Sequence, residues 1–324
     1  MLTGIIRADM QILRGLSSPD SHPIALTIGN FDGVHLGHQA LLKQLMAAAK
    51  ARNLDSAVLV FEPHPREFFS PQQAPARLTN LREKLECFEE MGLNRVYVCH
   101  FDEELAKTSA LDFVDILQMK LQAKFVLIGD DFRFGSGRLG DFDLMRQRGL
   151  ALGFDVQAMA SVCENNLRVS STAVRLALQQ GDLKLAESLL GRHYSMSGRV
   201  EHGQHLGRKL GYPTANIQLK HNCPPLTGVF AVQMKIEAGA WLNGVASLGV
   251  RPTVEVNGKP ILEVHLFDFA EEIYEQHVQV AFLKKLRDEK KFDGLESLKL
   301  QIDDDAQRAK QFFATTEQEL RTEN

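Results

Sequence analysis

The segment TIGNFDGVHLGH, residues 27–38, sets His35 and His38 three residues apart where a short apolar strand gives way to a helix. On a first helical turn that spacing puts both imidazoles on one side. Gly29, Gly33 and Gly37 allow tight turns and close approach of a ligand to the backbone, and the free N–H groups of a helix start hold phosphate. Two imidazoles in that position suit stabilisation of the charge that builds up on a transferring phosphoryl group, work that is electrostatic rather than covalent. A histidine pair on a solvated helix start is the plain alternative, and the strand and glycines around the pair weigh against it. Zinc is disfavoured, because it needs a third and a fourth ligand, and H-x-x-H has neither the i, i+4 spacing nor the glutamate of a zincin.

Four more segments carry chemistry. In VSSTAVR (169–175) the hydroxyls of Ser170, Ser171 and Thr172 stand just before a helix, where they cap it and also donate to phosphate, and Arg175 offers a planar fork for phosphates. An ordinary helix cap with a solvated arginine reads equally well. FEPHP (61–65) stiffens the loop after the second strand with Pro63 and Pro65 on either side of His64. Pro213-Thr214-Ala215-Asn216 presents a hydroxyl and an amide oxygen two residues apart, on one face if the chain is extended, and both are hard ligands suited to Mg²⁺. In isolation it is also a common proline-led turn. In LEVHLFDF (262–269), alternation puts Glu263, His265 and Phe267 on one face, where a carboxylate either accepts the proton of an alcohol or simply faces solvent. GSGRLG (135–140) spells G-x-G-x-x-G, but it follows the fourth strand and lacks an acidic partner ~20 residues on, so NAD binding is rejected. His202 and His205 on a glycine loop are too few for a metal, and no G-K-[ST] follows the glycines, so there is no P-loop.

Positioning these groups takes two dissimilar domains. Short strands, apolar on both faces, are expected over 24–28, 57–61, 95–99 and 125–129, with amphipathic helices over 38–52, 81–91 and 109–120 between them. That pattern implies a doubly wound parallel sheet, which binds ligands at the carboxyl ends of its strands. After about residue 183 come β-type segments over 196–200, 229–236, 242–248, 262–269 and 278–286, and then one or two helices over 293–316. The expectation is an α/β chain whose sheet domain is followed by a small antiparallel β-barrel with terminal helices, divided as 1–185 and 186–324. The length of 324 residues agrees with two domains at ~150 residues each. With 44% hydrophobic and 24% charged residues, disorder, collagen and coiled coil are excluded. A net charge of −4 gives no general attraction for nucleic acid or an anionic membrane, so any anionic substrate must be held by local donors. The four scattered cysteines, a first 20 residues without a continuous apolar stretch, and the lack of an apolar run of ~18 residues lead to the expectation of a soluble cytoplasmic chain with reduced thiols. Self-association is left open.

GNFDGVHLGH resembles the H-x-G-H signature of the nucleotidyltransferase superfamily, in the form found at the start of the prokaryotic bifunctional riboflavin kinase/FAD synthetases. FEPHP, IGDDFRFG (128–135) and VSSTAVR follow in the order of that family, and GRKLGYPTAN (207–216), GVFAV, NGVASLGVRPT, LEVHLFDF and LRDEKKF resemble its kinase half, so the likeness runs from about residue 26 to 313. It implies a Rossmann-like nucleotidyltransferase domain and a kinase barrel, with riboflavin, FMN and ATP as small-molecule substrates, FAD as product and Mg²⁺ as the metal. The catalytic groups implied are Glu263, His35, His38 and Arg175. Nucleotide contacts would come from Gly29, Asn30, Phe31, Gly33, Ser170, Ser171, Thr172, Gly207 and Arg208, and flavin contacts from Pro63, His64, Pro65, Asp131 and Arg287. Thr214 and Asn216 would hold the metal. One departure stands out: Ser247 occupies a position where the family often has asparagine, and no catalytic position is expected to feel it. The rivals are a nucleotidyltransferase acting on another phosphorylated substrate, which would not need a second barrel, and a flavin-binding protein without turnover, against which the intact site residues argue.

Overall fold

Six strands form the sheet of the first unit, which comprises Met1–Pro75 and Leu81–Ser170. They are β1 (Gln11–Arg14), β2 (Ile24–Ile28), β3 (Asp55–Glu62), β4 (Arg95–His100), β5 (Ala123–Gly129) and β6 (Asp155–Met159). All pair in parallel, in the order β1-β4-β3-β2-β5-β6. Around them lie α1 (Leu36–Arg52), α2 (Pro65–Phe69), α3 (Leu81–Glu90), α4 (Glu103–Lys107), α5 (Ala110–Met119) and α6 (Phe142–Leu152), and a two-residue hairpin, β7 (Cys163–Glu164) with β8 (Leu167–Arg168), precedes the end of the unit. The computed structural model describes residues 10–17, 22–164, 167–203, 210–220, 223–250 and 260–322.

Strand β2 shows why the sheet is covered on both sides. Ile24, Leu26 and Ile28 pack with Phe113, Val114 and Leu117 of α5, while Ala25 packs with Leu45 and Ala49 of α1. Every residue of β2 is buried, so it had to be apolar on both faces. The edge strands β1 and β6 were not expected from the sequence. QILR and DVQAM are half-exposed and lack an apolar run, and they become strands by pairing with β4 and β5. From β2 the chain moves through β3 to β4 on one side, then crosses to β5 and β6 on the other. The loops after β2 and β5 therefore diverge, and the crevice of the sheet opens at the carboxyl ends of these two strands.

The second unit comprises Ala76–Asn80 and Ser171–Asn324. Helices α7 (Ser171–Gln180) and α8 (Leu183–Leu190) precede a closed barrel of β9 (Ser195–Glu201), β10 (Ala215–Leu219), β11 (Gly228–Ile236), β12 (Trp241–Val250), β13 (Pro260–Leu266) and β14 (His277–Arg287), and α9 (Leu295–Thr322) follows. Neighbouring strands are all antiparallel, in the order β10-β13-β12-β11-β14-β9. Val229, Ala231 and Val245 pack with Ala306, Ala309 and Phe313 of α9, so their side of the wall is the outer one. The alternate residues Phe230, Val232, Ala246 and Val264 are buried and fill the barrel. One helix of 28 residues stands where one or two were expected, and β10 is a sixth barrel strand beyond the five β-type segments expected. Residues 171–185, expected in the first domain from sequence, make their contacts in the second unit, where α8 packs on β14.

Candidate active sites

In the first unit, His35 caps α1. Its Nδ1 accepts a hydrogen bond from the backbone N–H of His38 at 3.3 Å, so a neutral His35 carries its proton on Nε2. The two imidazoles stack, with centroids 3.6 Å apart and planes 16° from parallel. Burial, then His35, then Lys84 pull the His38 pKa well below the ordinary histidine value, so at neutral pH this ring is an uncharged N–H donor. His38 Nδ1 is buried without a hydrogen-bond partner among the described residues. A side chain at Gly37 would lie 3.2 Å from the His35 ring, so the bare glycine leaves room for that imidazole, and the carbonyl oxygen of Val169 lies nearby.

The loop between β2 and this turn is strained. Phe31 and Val34 both have positive φ, 48° and 40°, beside Gly33 at 84°. Each such non-glycine residue costs roughly 1–3 kcal/mol. Burying the Phe31 ring, 1% exposed, contributes roughly the same amount in the other direction. The ring lies 4.9 Å from His38 and 5.6 Å from Phe88 on α3, so Phe31 anchors the loop through its side chain. The Oδ1 of Asn30, two residues after β2, is buried without a hydrogen-bond partner among the described residues.

At the neighbouring strand ends, His64 caps α2. Its Nδ1 accepts from Arg66 N–H at 3.0 Å, while Glu67 returns a carboxylate to His64 N–H at 3.2 Å. Pro65 takes the first helical position, which needs no N–H, and Pro63 lies just before the cap. Beside them Phe61, Phe68, Phe69 and Phe101 form an edge-to-face cluster with centroids 5.3–5.8 Å apart. Phe69 is 64% exposed, an aromatic face open to a flat ligand ring. The sequence reading missed this cluster, although adjacent phenylalanines in REFF directly after FEPHP were a usable signal. Asp131, after β5, pairs with Arg168 on β8. Both side chains are more than half exposed, so the pair adds at most about 1 kcal/mol of stability and is open to exchange for a ligand.

Arg175 and the rest of VSSTAVR after Ser170 belong to the second unit, where Arg175 Nε donates to the carbonyl of Ala76 at 2.6 Å. Ser171 and Thr172 open α7.

In the barrel, strand register assembles the second site. Asn216 on β10 stands opposite Glu263 on β13 and, on its other side, opposite Glu201 on β9. Glu263 stands opposite Ser247, Ser247 opposite Val229, and Val229 opposite Arg287. Directly opposed residues share a face, so Glu201, Asn216, Glu263 and Ser247 form one row on the outer wall of the barrel. Ser247 is thus the lateral neighbour of the Glu263 carboxylate. Asn216 Nδ2 lies 3.5 Å from the Thr214 carbonyl. A Cβ at Gly203 would fall 2.2 Å from Asn216 Nδ2, so the bare backbone there cradles the amide. Pro213 O lies 2.9 Å from His265 Nδ1, which steadies the residue before Thr214.

The arginine of LRDEKKF is engaged within the protein. Arg287 forks onto Asp305 of α9, with Nε and Nη2 at 2.9 and 2.7 Å, and its Nη1 reaches the Asp288 carbonyl. Gly207 and Arg208 lie outside the described residues. Among the described residues no group of three or more His, Cys, Asp or Glu forms a metal cage. The hydroxyl of Thr214 and the amide of Asn216, with carboxylates beside them, fit a cation that draws most of its ligands from water and phosphate, as Mg²⁺ does.

Comparison with known proteins agrees with this division. Residues 17–173 match the family model for FAD synthetase, and residues 190–313 match that for riboflavin kinase. The bifunctional riboflavin kinase/FMN adenylyltransferase of Escherichia coli K12 is 47% identical over 95% of this chain and 99% of its own. Those of Haemophilus influenzae and Pseudomonas fluorescens are 47% and 48% identical, each over 94% of this chain and 99% and 98% of their own. A crystal structure from Streptococcus pneumoniae, described as a macrolide-efflux protein, shares 28% identity over 91% of this chain and 97% of its own, with a TM-score of 0.77. Among the described residues, however, no helix here is long and apolar enough to cross a membrane. With both family models matched in order and nearly half of all residues shared along almost the full length, the chain belongs to the bifunctional riboflavin kinase/FMN adenylyltransferase family.

Proposed function

We propose that the barrel transfers the γ-phosphoryl group of ATP to riboflavin, giving FMN and ADP, and that the sheet unit then joins FMN to the AMP part of ATP, giving FAD and pyrophosphate. The observation that carries this reading is the ladder row in which Asn216 and Glu263 are direct neighbours. It sets a hard oxygen ligand beside a carboxylate on one face of the wall. Thr214 and Asn216 would hold Mg²⁺, which when bound offsets charge on the phosphates. Glu263 takes the proton of the ribityl 5′-hydroxyl as the phosphoryl group moves. Gly207 and Arg208 are assigned to the ATP of this step on their motif alone.

In the sheet unit the attacking FMN phosphate is already anionic, so no protein base is needed. His35 and His38 donate N–H groups to the charge that develops around the α-phosphorus and on the departing pyrophosphate. Because His38 is held neutral, its part is a hydrogen bond, and positive charge is assigned to Arg175 on its motif. Gly29, Asn30, Phe31 and Gly33 shape the loop that receives the nucleotide, with Ser170, Ser171 and Thr172 as hydroxyl donors. The loop of Pro63, His64 and Pro65, with the phenylalanine cluster beside it, is assigned to the flavin ring, and Asp131 to its polar edge. Arg287 serves the flavin of the kinase step by holding its segment in place through Asp305. The functional division is 1–185 and 186–324, and a chain acting on ATP with free thiols is assigned to the cytoplasm.

The test is chromatography of products from the purified chain with ATP and Mg²⁺. Riboflavin should yield FMN and then FAD, and supplied FMN should yield FAD. No FMN from riboflavin would sink the kinase half, and no FAD from FMN the adenylyl half.

A further inference from the structure

We propose that Tyr212 and Asp303 are positioning residues of the kinase site, holding the segment that carries Thr214 to a fixed point on α9. This rests on the reading of the barrel as the kinase. Tyr212 Oη donates to Asp303 Oδ1 at 2.6 Å across 91 residues of sequence. The acceptor is a charged one, because this bond and Lys299 Nζ at 3.0 Å both hold the Asp303 carboxyl below the usual range.

Asp303 is a fixed point because α9 is pinned independently of Tyr212. Asp305, two residues on and 5% exposed, receives the Arg287 fork, and Arg308 Nη2 donates to the Leu286 carbonyl at 2.7 Å. Ala306, Ala309 and Phe313 pack on the outer wall of the barrel.

Tyr212 and Pro213 need such an anchor. Strand β10 begins only at Ala215, so among the described residues 212–214 lie before the ladder. Side-chain contacts stand in for it: Tyr212 Oη on Asp303, His265 Nδ1 on the Pro213 carbonyl at 2.9 Å, and the Tyr212 ring packed on the cluster between the outer wall and α9. The Tyr212 ring also meets His265 edge-on at 5.0 Å, and His265 shares the face of Glu263, two residues earlier. Asn216 is different, being registered on both sides by the ladder. Loosening Tyr212 therefore frees the Thr214 hydroxyl and leaves Asn216 and Glu263 in place, so a cation held by the pair should bind more weakly while the proton-accepting group stays aligned.

The experiment measures riboflavin phosphorylation by the full chain against Mg²⁺ concentration at fixed ATP. Tyr212→Phe and Asp303→Ala should each raise the half-saturating Mg²⁺ about tenfold, the scale of one charge-assisted hydrogen bond, with a smaller fall in the maximal rate. The double variant should be no worse than either single one, because both remove the same contact. Asp303→Asn, which keeps an acceptor, should recover most of the loss. FAD formation from supplied FMN should keep its own Mg²⁺ dependence. Trp241, the chain's one tryptophan, lies on β12 and reports by fluorescence whether the variant barrels are folded. An unchanged half-saturation in folded variants, or a loss confined to the maximal rate, would overturn the proposal. A wild-type chain that makes no FMN at any Mg²⁺ would instead overturn the kinase reading beneath it.

Discussion

Glu263 stands directly opposite Asn216 in the β10–β13 ladder, although 46 residues of sequence lie between them. Register alone gives the carboxylate a metal-type amide on one flank and Ser247 on the other. A one-residue slip of β13 would turn Glu263 into the barrel interior and bring Leu262 or Val264 to the outer wall. The buried alternation of Leu262, Val264 and Leu266 opposes such a slip, so the apolar core of the barrel also sets the row of Glu263, Asn216 and Ser247.

Replacing Glu263 with alanine should lower FMN formation about 10²–10⁴-fold, the usual contribution of a positioned proton acceptor. FAD synthesis from supplied FMN should persist. Parallel loss of both activities in a folded protein would contradict the assignment of the residue to one step.

His38→Ala should have the converse effect, with FMN accumulating and FAD formation falling about 10²–10³-fold, as expected for one donor lost from a charge-stabilising pair. A normal rate of FAD synthesis in this variant would refute the role given to the stacked histidines.

The neutral state of His38 also sets a pH dependence. Below pH 6.5 the unfolded chain binds a proton at this position that the folded unit refuses, so folded stability is full above that pH and is lost as pH falls toward the depressed folded value. The slope in that window is at most about 1.4 kcal/mol per pH unit. Hydrogen exchange of β2 and β5 between pH 7.5 and 5.5 (on the order of one His titration) should show this loss in the wild type and a shallower one in His38→Asn. Identical pH profiles would remove His38 as its cause.

Gly203→Ala tests the cradle around Asn216. The φ of Gly203 is not in the left-handed region, so alanine is compatible with the backbone, and the atom it meets is the movable end of a side chain. Thermal stability should hardly change, while kinase activity should drop about tenfold to a hundredfold through the displaced amide. Wild-type kinase kinetics in this variant would show that the amide position is unimportant.

Much of the chemistry was legible because it is local. The three-residue spacing of His35 and His38, the strand before them and the alternation around Glu263 each follow from the periods of helix and strand, which a short stretch of chain sets by itself. The buried runs of β2 and β5 announced a sheet covered on both faces. Strands β1, β6 and β10 were not legible because these part-exposed segments lack a continuous apolar run, and they exist through neighbours elsewhere in the chain.

By itself, then, the sequence determined the two fold types, the glycine-flanked turn of His35 and His38 and the faces on which Glu263 and Asn216 point. Tertiary structure decided which of these groups meet. It placed Ser247 beside Glu263, closed the Arg287 fork on Asp305, joined Tyr212 to Asp303, gathered Phe61, Phe68, Phe69 and Phe101, and stripped His38 of its charge. Side-chain direction is a property of a few consecutive dihedrals. Register, burial and the partner of a charge depend on segments far apart in the chain, and only the folded packing brings them together.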